Sequence, residues 1–281
     1  MSSILTNSSA IVALQTLKSV NANLGKAQAE ISTGKAVGSA KDNAAVWAIS
    51  KVMETDQSAF KTIQSNLNVA DAVVSTARAG AEQITDLLKE MKDLAIGAAN
   101  DAADHAKIQT DIDAKFAQIE SIIGASQLNG INLLATDVNG AGGTAFTVLG
   151  SLDRVNGTVA TTAAEIEVTG VDFEADIAGA APTAITDRAS ALTAIEEIEE
   201  LIDLAVIGAA NLGSAGKRIS DQANFVGKLS DSLKIGMGAL VDADMEEASA
   251  RLQALQTQQQ LGIQALSIAN QAPSAILSLF R

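Results

Sequence analysis

FKTIQSNLNVADAVVSTARAGAEQITDLLKEMKDLA, residues 60–95, decides the fold. Its apolar residues fall at alternating steps of three and four: Phe60, Ile63, Leu67, Ala70, Val74, Ala77, Ala81, Ile84, Leu88, Met91 and Ala95. That spacing is the heptad seam of an α-helix, and so long and narrow a stripe is buried only against other long helices lying nearly parallel to it. The chain is built to bundle.

Toward the N-terminus, Ser32 to Asp42 carries Gly34 and Gly38 and predicts a non-helical connector, with Asp42 capping the long helix that follows to about Asn100. Such a helix is roughly 85–90 Å long, far beyond a globular domain's usual three turns. Before the connector, residues 1 to about 33 form a weakly amphipathic helix with Leu14, Leu17, Leu24 and Ile31 on its seam and polar Asn21 and Gln28 between them. Toward the C-terminus, a shorter helix is expected over Asp104 to Ser126, with Ile108, Ile112, Lys115, Ile119 and Ile122 along one side.

The character changes from Gln127 to Ala181. Asn-Gly occurs at 129, 139 and 156, a pair favoured in type I′ hairpin turns because both central residues need positive φ. Short β-like runs lie near 145 and 165, so a small β insertion is expected; its seven acids face one base, Arg154, a balance suited to a solvated outer surface. Pro182 closes it. Helix resumes from about Ala184, with Ile195, Ile198, Ile202 and Ala205 leading into a second seam, Leu212, Ala215, Ile219, Gln222, Val226, Leu229, Leu233, Gly236 and Leu240. After VDAD at 241–244, a last helix carries Leu252, Leu255, Leu261, Leu266 and Ile268.

This near-palindromic order folds most simply as a hairpin that goes out, turns through the β part and returns beside itself. The expected fold class is mainly α, a long antiparallel, coiled-coil-like bundle with a small β-hairpin insertion. Its divisions are 1–41, 42–128, 129–182, 183–240 and 241–281.

Composition narrows the function. Hydrophobic residues make up 47% but aromatics only 2%, while roughly one residue in five is Ala, which favours close helix packing over a bulky core. A formal charge of −14 repels nucleic-acid phosphates and anionic membranes, so neither is expected as a partner. With no cysteine, disulfides, thiolate metal sites and cysteine catalysis are excluded. The start of the chain lacks the basic and apolar segments of a cleaved signal peptide, and no run of about 20 apolar residues would span a bilayer.

Catalysis and cofactors are not expected. His105 is the only histidine, which rules out histidine-pair metal sites, and it is expected solvated at a helix start. The acids from Glu165 to Asp176 lack the spacing of a calcium loop, Asp242 and Asp244 suit the cap of the last helix, and GAGG at 140–143 lacks the lysine of a phosphate loop. The Asn-x-Ser/Thr triplets at 7 and 156 are frequent by chance.

The termini carry a resemblance. ISTGKAVGSAKDNAAVWAIS from Ile31, QLNGINLL at 127–134, VDADMEEASA at 241–250 and the tail ALSIANQAPSAILSLFR resemble, in this order, segments of the bacterial flagellins. The resemblance covers about 1–134 and 190–281 and implies a short flagellin without the large outer domains. It implies that residues 1 to about 35 and about 246–281 form two helices lining the inner tube of a filament, with 42–235 as the surrounding rod.

On that footing Leu14, Leu17, Leu24, Ile31, Leu252, Leu255, Leu266, Ile268, Leu277 and Leu279 are candidate self-assembly residues. Phe60, Ile63, Leu67, Val74, Ile84, Leu88, Met91, Leu212, Ile219, Val226, Leu229 and Leu233 form the rod seam. The few large side chains of each end offer too little burial to order an isolated helix, so the ends are expected to order on assembly.

The expected function is a non-catalytic, self-assembling filament subunit in the extracellular flagellum. The resemblance implies a flagellar export chaperone holding the C-terminal helix, the secretion apparatus, the filament cap and hook–filament junction proteins as partners. O-linked sugar on Ser and Thr of the β insertion is a further family possibility. Val46, Trp47 and Phe280 depart from the usual family residues. Glu90 stands where flagellins read by an animal innate receptor carry Arg, so weak or no receptor activation is expected. Two alternatives are a hook–filament junction protein and, in another class, an adhesin or enzyme displayed on the β insertion.

Overall fold

The computed structural model describes residues 7–155, 158–160 and 165–278. The chain is mainly helical, and its helices are α1 (Ser8–Thr33), α2 (Ala44–Ala98), α3 (His105–Ala125), α4 (Arg188–Val241) and α5 (Met245–Ser278). Strands β1 (Ala145–Leu149), β2 (Asp153–Val155), β3 (Thr158–Ala160) and β4 (Glu165–Thr169) lie between α3 and α4. Two compact units result, residues 1–57 with 232–281, and residues 58–231. The compact units divide inside α2 and α4, whereas 41/42 falls in the connector between α1 and α2 and 240/241 at the last residue of α4.

In the unit formed by 58–231, α2 and α4 run antiparallel. Lys92 Nζ meets Glu199 Oε1 at 2.6 Å near one end, and a Cβ on Gly216 would lie 3.4 Å from Val74 Cγ1 further along. Every seam residue from Phe60 to Ala95 is buried, as are Leu212, Ile219 and Val226, while Leu229 is half-buried. Helix α3 returns along α2, turning at His105, whose Nε2 lies 3.0 Å from the Ala98 carbonyl. Its core residues are Ile112, Ile119 and Ile123; Ile108 and Ile122, expected beside them, are half-buried. Gly80 permits the close approach of the α3 end, since a Cβ there would fall 2.2 Å from Ser126 Oγ.

The β part consists of two separate two-stranded ladders. β1 pairs antiparallel with β4, Phe146 opposite Val168 and Val148 opposite Ile166, and β2 pairs with β3. Alternation along β4 puts Val168 inward and Glu165 and Glu167 in solvent, the two-residue period of a half-buried strand. Asn129 and Gly130 have φ of 54° and 81°, the type I′ pattern, and close the bridge between Leu128 and Ile131. At 139 the expected turn is replaced: only Gly140 has positive φ, and Asn139 Oδ1 instead accepts from the amides of Ala141 (2.9 Å) and Gly143 (3.1 Å). The Asn-Gly at 156 lies outside the described residues.

The run expected as β near 165–176 is strand only to Thr169. Asp172 ends it by accepting the Ala175 amide at 2.9 Å, and Glu174–Ala178 form a π-helical turn packed on α3. Phe173, Ile177 and Ile185 are buried beneath this segment with Leu133 and Leu134.

Three helix starts are fixed by their caps. α2 begins on Asn43, whose Oδ1 accepts the Val46 amide at 3.2 Å, while Asp42 closes the connector by accepting from Ser39 N and Oγ, both at 2.9 Å. α4 begins at Arg188 rather than Ala184, because Asp187 accepts the Ser190 amide at 2.8 Å and Ser190 Oγ accepts the Asp187 amide at 3.0 Å, a reciprocal cap. α5 is capped by Asp244, which accepts from the amides of Glu246 (2.9 Å) and Glu247 (3.2 Å), while Asp242 instead bridges to Lys35 through the backbone.

Candidate functional site

The unit formed by 1–57 and 232–281 is built around α1 and α5, packed antiparallel. Four contacts set the register: Asn7 Nδ2 donates to the Ala269 carbonyl (2.7 Å), Gly262 faces Leu17, Gln259 Nε2 donates to Asn21 Oδ1 (2.7 Å), and Arg251 lies 3.8 Å from Glu30. The connector joins in, as the Ala36 amide donates to the Val241 carbonyl (2.8 Å) and Ala243 to Gly34 (2.9 Å). Gly34, at φ 69°, ends α1 in the left-handed conformation that a glycine adopts without steric penalty.

The inward stripe of α1 is Ala13, Leu17, Val20, Leu24, Ala27 and Ile31, and that of α5 is Ala248, Leu252, Leu255, Gln259, Gly262, Leu266 and Ala269. Both step by three and four. Asn21 and Gln28, expected on the α1 seam, are exposed; Val20 and Ala27 take the inward positions one residue earlier. Asn21, outside the stripe, accepts a hydrogen bond from Gln259 Nε2 across the pair.

The large side chains left over do not share this stripe. Ile11, Val12 and Leu14 on α1, and Leu261, Ile263 and Ile268 on α5, are all more than half exposed, Ile268 reaching 69%. Of the candidate assembly residues, Leu17, Leu24, Ile31, Leu252, Leu255 and Leu266 therefore meet within the chain, while Leu14 and Ile268 face outward. Leu277 lies on the α5 backbone, and Leu279 and Phe280 fall outside the described residues. In the same unit Leu233 is half-buried, and Ile235 is exposed.

Among the described residues, no group of three or more histidine, aspartate or glutamate side chains is placed to hold a metal ion. His105 is half-buried at the α2–α3 turn rather than solvated, which commits one ring nitrogen to the backbone. Three acids of the insertion, Asp137, Asp172 and Glu174, accept local hydrogen bonds. Backbone amides, that of Gly142 foremost, hold the Asp137 carboxyl below the usual carboxylate range, and Asp172 and Glu174 accept from Thr136. The Ser39 hydroxyl and amide likewise lower Asp42, the Lys51 ammonium lowers Glu54, and the amide and hydroxyl of Ser190 lower Asp187. Glu90 is exposed and ion-paired with Lys115 of α3. No helix among the described residues is long and apolar enough to cross a membrane.

Comparison with known proteins places both helical halves. Residues 4–138 match the family model of the bacterial flagellin N-terminal helical region, and residues 176–280 match that of the C-terminal helical region. The chain is 39% identical over 284 residues to flagellin FljM of Caulobacter vibrioides, covering 100% of this chain and 99% of that one. It is also 39% identical over 289 residues to a flagellin of Brucella melitensis, with both chains covered in full. Among solved structures, a Vibrio parahaemolyticus protein assigned as flagellar hook-associated aligns at a TM-score of 0.57 and 15% identity over 72% of this chain and 100% of that one, a likeness of fold alone.

Proposed function

The chain belongs to the bacterial flagellin family and is a structural subunit of the flagellar filament, the polymer of motility, and from that footing we propose that its α1–α5 pair is the surface through which copies join. One observation carries this reading: the pair uses a single stripe of each helix internally and leaves Ile11, Val12, Leu14, Leu261, Ile263 and Ile268 in solvent. Burial of these side chains between copies would remove their apolar surface from water, which is what favours association. Neighbouring copies bury it, and the two ends gain their full order in the polymer.

Residues 1–41 and 241–281 then act as the inner-tube elements and 42–240 as the rod with its β insertion. Export through the flagellar secretion apparatus, a chaperone on α5, the filament cap and the hook–filament junction proteins complete the proposed partners, and the polymer lies outside the cell as relatives' filaments do. Replacing Leu14, Leu261 and Ile268 together by Ser tests the reading. Those side chains touch little within the chain, so monomer helicity should be unchanged while seeded polymerisation, followed by electron microscopy, is lost. Normal filaments from the triple variant would refute it.

A further inference from the structure

A cleft of about 410 Å3 lies between α2 and α4 in the unit formed by 58–231. Its walls include Val74 and Leu212, Gly213 and Gly216 lie on its α4 side, and Arg78 and Lys217 line it as well. The two glycines are unexplained by the chain's own packing. A Cβ at Gly213 would find only Arg78 Cδ at 4.0 Å, and one at Gly216 would be in ordinary contact with Val74, so neither position demands glycine for space or for positive φ. Glycine weakens a helix interior relative to alanine, yet two stand three residues apart in the middle of α4. What they accomplish is to keep the cleft open.

The same helix carries the complementary shape. Phe225 is 56% exposed, whereas the other aromatic side chains the structure describes are buried (Phe60, Phe173) or half-buried (Trp47, Phe116, Phe146). A cavity of about 150 Å3 suffices for a benzene ring; apolar Val74 and Leu212 line the cleft beside Asp71, and its cations Arg78 and Lys217 are paired with Glu82 and Asp221 of their own helices. Phe225 stands twelve residues beyond Gly213 on α4, about 18 Å along the axis, so a chain cannot fill its own cleft. A knob and a hole at different places on one molecule make a heterologous contact, the kind that propagates into an open helical polymer.

We infer that Phe225 of one copy seats in the α2–α4 cleft of a neighbouring copy, a rod-to-rod contact that rests on the filament function and is separate from the terminal helices. The chain has no cysteine, which gives a clean test. In a Ser75→Cys, Asn224→Cys double variant, which keeps Phe225 and both cleft glycines, Ser75 sits beside the Val74 that faces Gly216, eight residues or about 12 Å along α4 from 224, so the thiols are too far apart to pair within a chain and any disulfide joins copies. Filaments of this variant, mildly oxidised and run without reductant, should give a ladder of covalent multimers; filaments that form yet stay uncross-linked overturn the contact.

As an independent arm, Phe225→Ala should raise the critical concentration for seeded assembly about tenfold, the loss typical of an aromatic anchor, with monomer helicity unaltered. An unchanged critical concentration overturns the contact even if the cysteine variant fails to polymerise. Failure of the unsubstituted chain to form filaments would instead overturn the filament function, and this contact with it.

Discussion

The ring of Phe173 occupies the space that a side chain on Gly208 would need: a Cβ at Gly208 would lie 2.6 Å from Phe173 Cε1 and Cζ. Phe173, 1% exposed, is thereby locked against α4 by the absence of a single carbon. Gly208→Ala should destabilise the protein by about 1–3 kcal/mol, the usual consequence of overpacking. Gly213→Ala, five residues along the same helix with open space beside it, should stabilise by about 0.5–1 kcal/mol. Thermal unfolding of both variants checks the opposite signs.

Gly262 has the corresponding role in the terminal pair, where a Cβ would come within 3.2 Å of Leu17 Cδ1. Gly262→Leu should push α1 and α5 apart and abolish seeded polymerisation. Gly25→Ala, at a position with nothing within 4 Å, should polymerise normally. Light scattering on seeded samples distinguishes them.

Asp187 gives α4 a pH dependence whose sign is fixed. Its folded pKa is lowered from 3.8 by the Ser190 amide and hydroxyl, so the cap is fully stabilising above that value and is lost as pH falls through the depressed folded pKa. Asp187→Ala should accordingly be less stable than the unsubstituted chain at neutral pH, with the difference shrinking as pH falls below about 4. Urea unfolding at pH 7 and at pH 3 measures both limbs.

Glu90, ion-paired with Lys115 and exposed, should leave stability within about 1 kcal/mol when changed to Gln, as surface pairs do. The resemblance implies that Glu90 stands where receptor-read flagellins carry Arg, so purified monomer is predicted to give weak or no innate-receptor signalling. A reporter-cell assay that returned strong signalling would contradict the assignment.

The long helices were legible in the sequence because Phe60 to Ala95 is a pattern of side chains that all go to one place. The α1 stripe was harder, since the 9%-exposed Glu30 packs inward without an apolar signature, accompanied by Lys26 at 3.9 Å and Arg251 at 3.8 Å. Asp42 and Asn43 are both good caps in adjacent positions, and only the path of the connector decides between them. The pairing of β1 with β4 around β2 and β3 was beyond local signals, because strand partners so far apart leave no periodicity of their own. Phe225 and the cleft were equally hidden, as an exposed aromatic and a helix glycine look unremarkable singly.

Amide hydrogen exchange, compared between dilute monomer and sedimented filament, tests the central claim most directly. The account predicts that α1 and α5 exchange quickly in the monomer, while the buried seam of α2 stays protected, and that both become strongly protected in the filament. Protection of α1 and α5 in the lone chain equal to that of α2, unchanged by polymerisation, would contradict it.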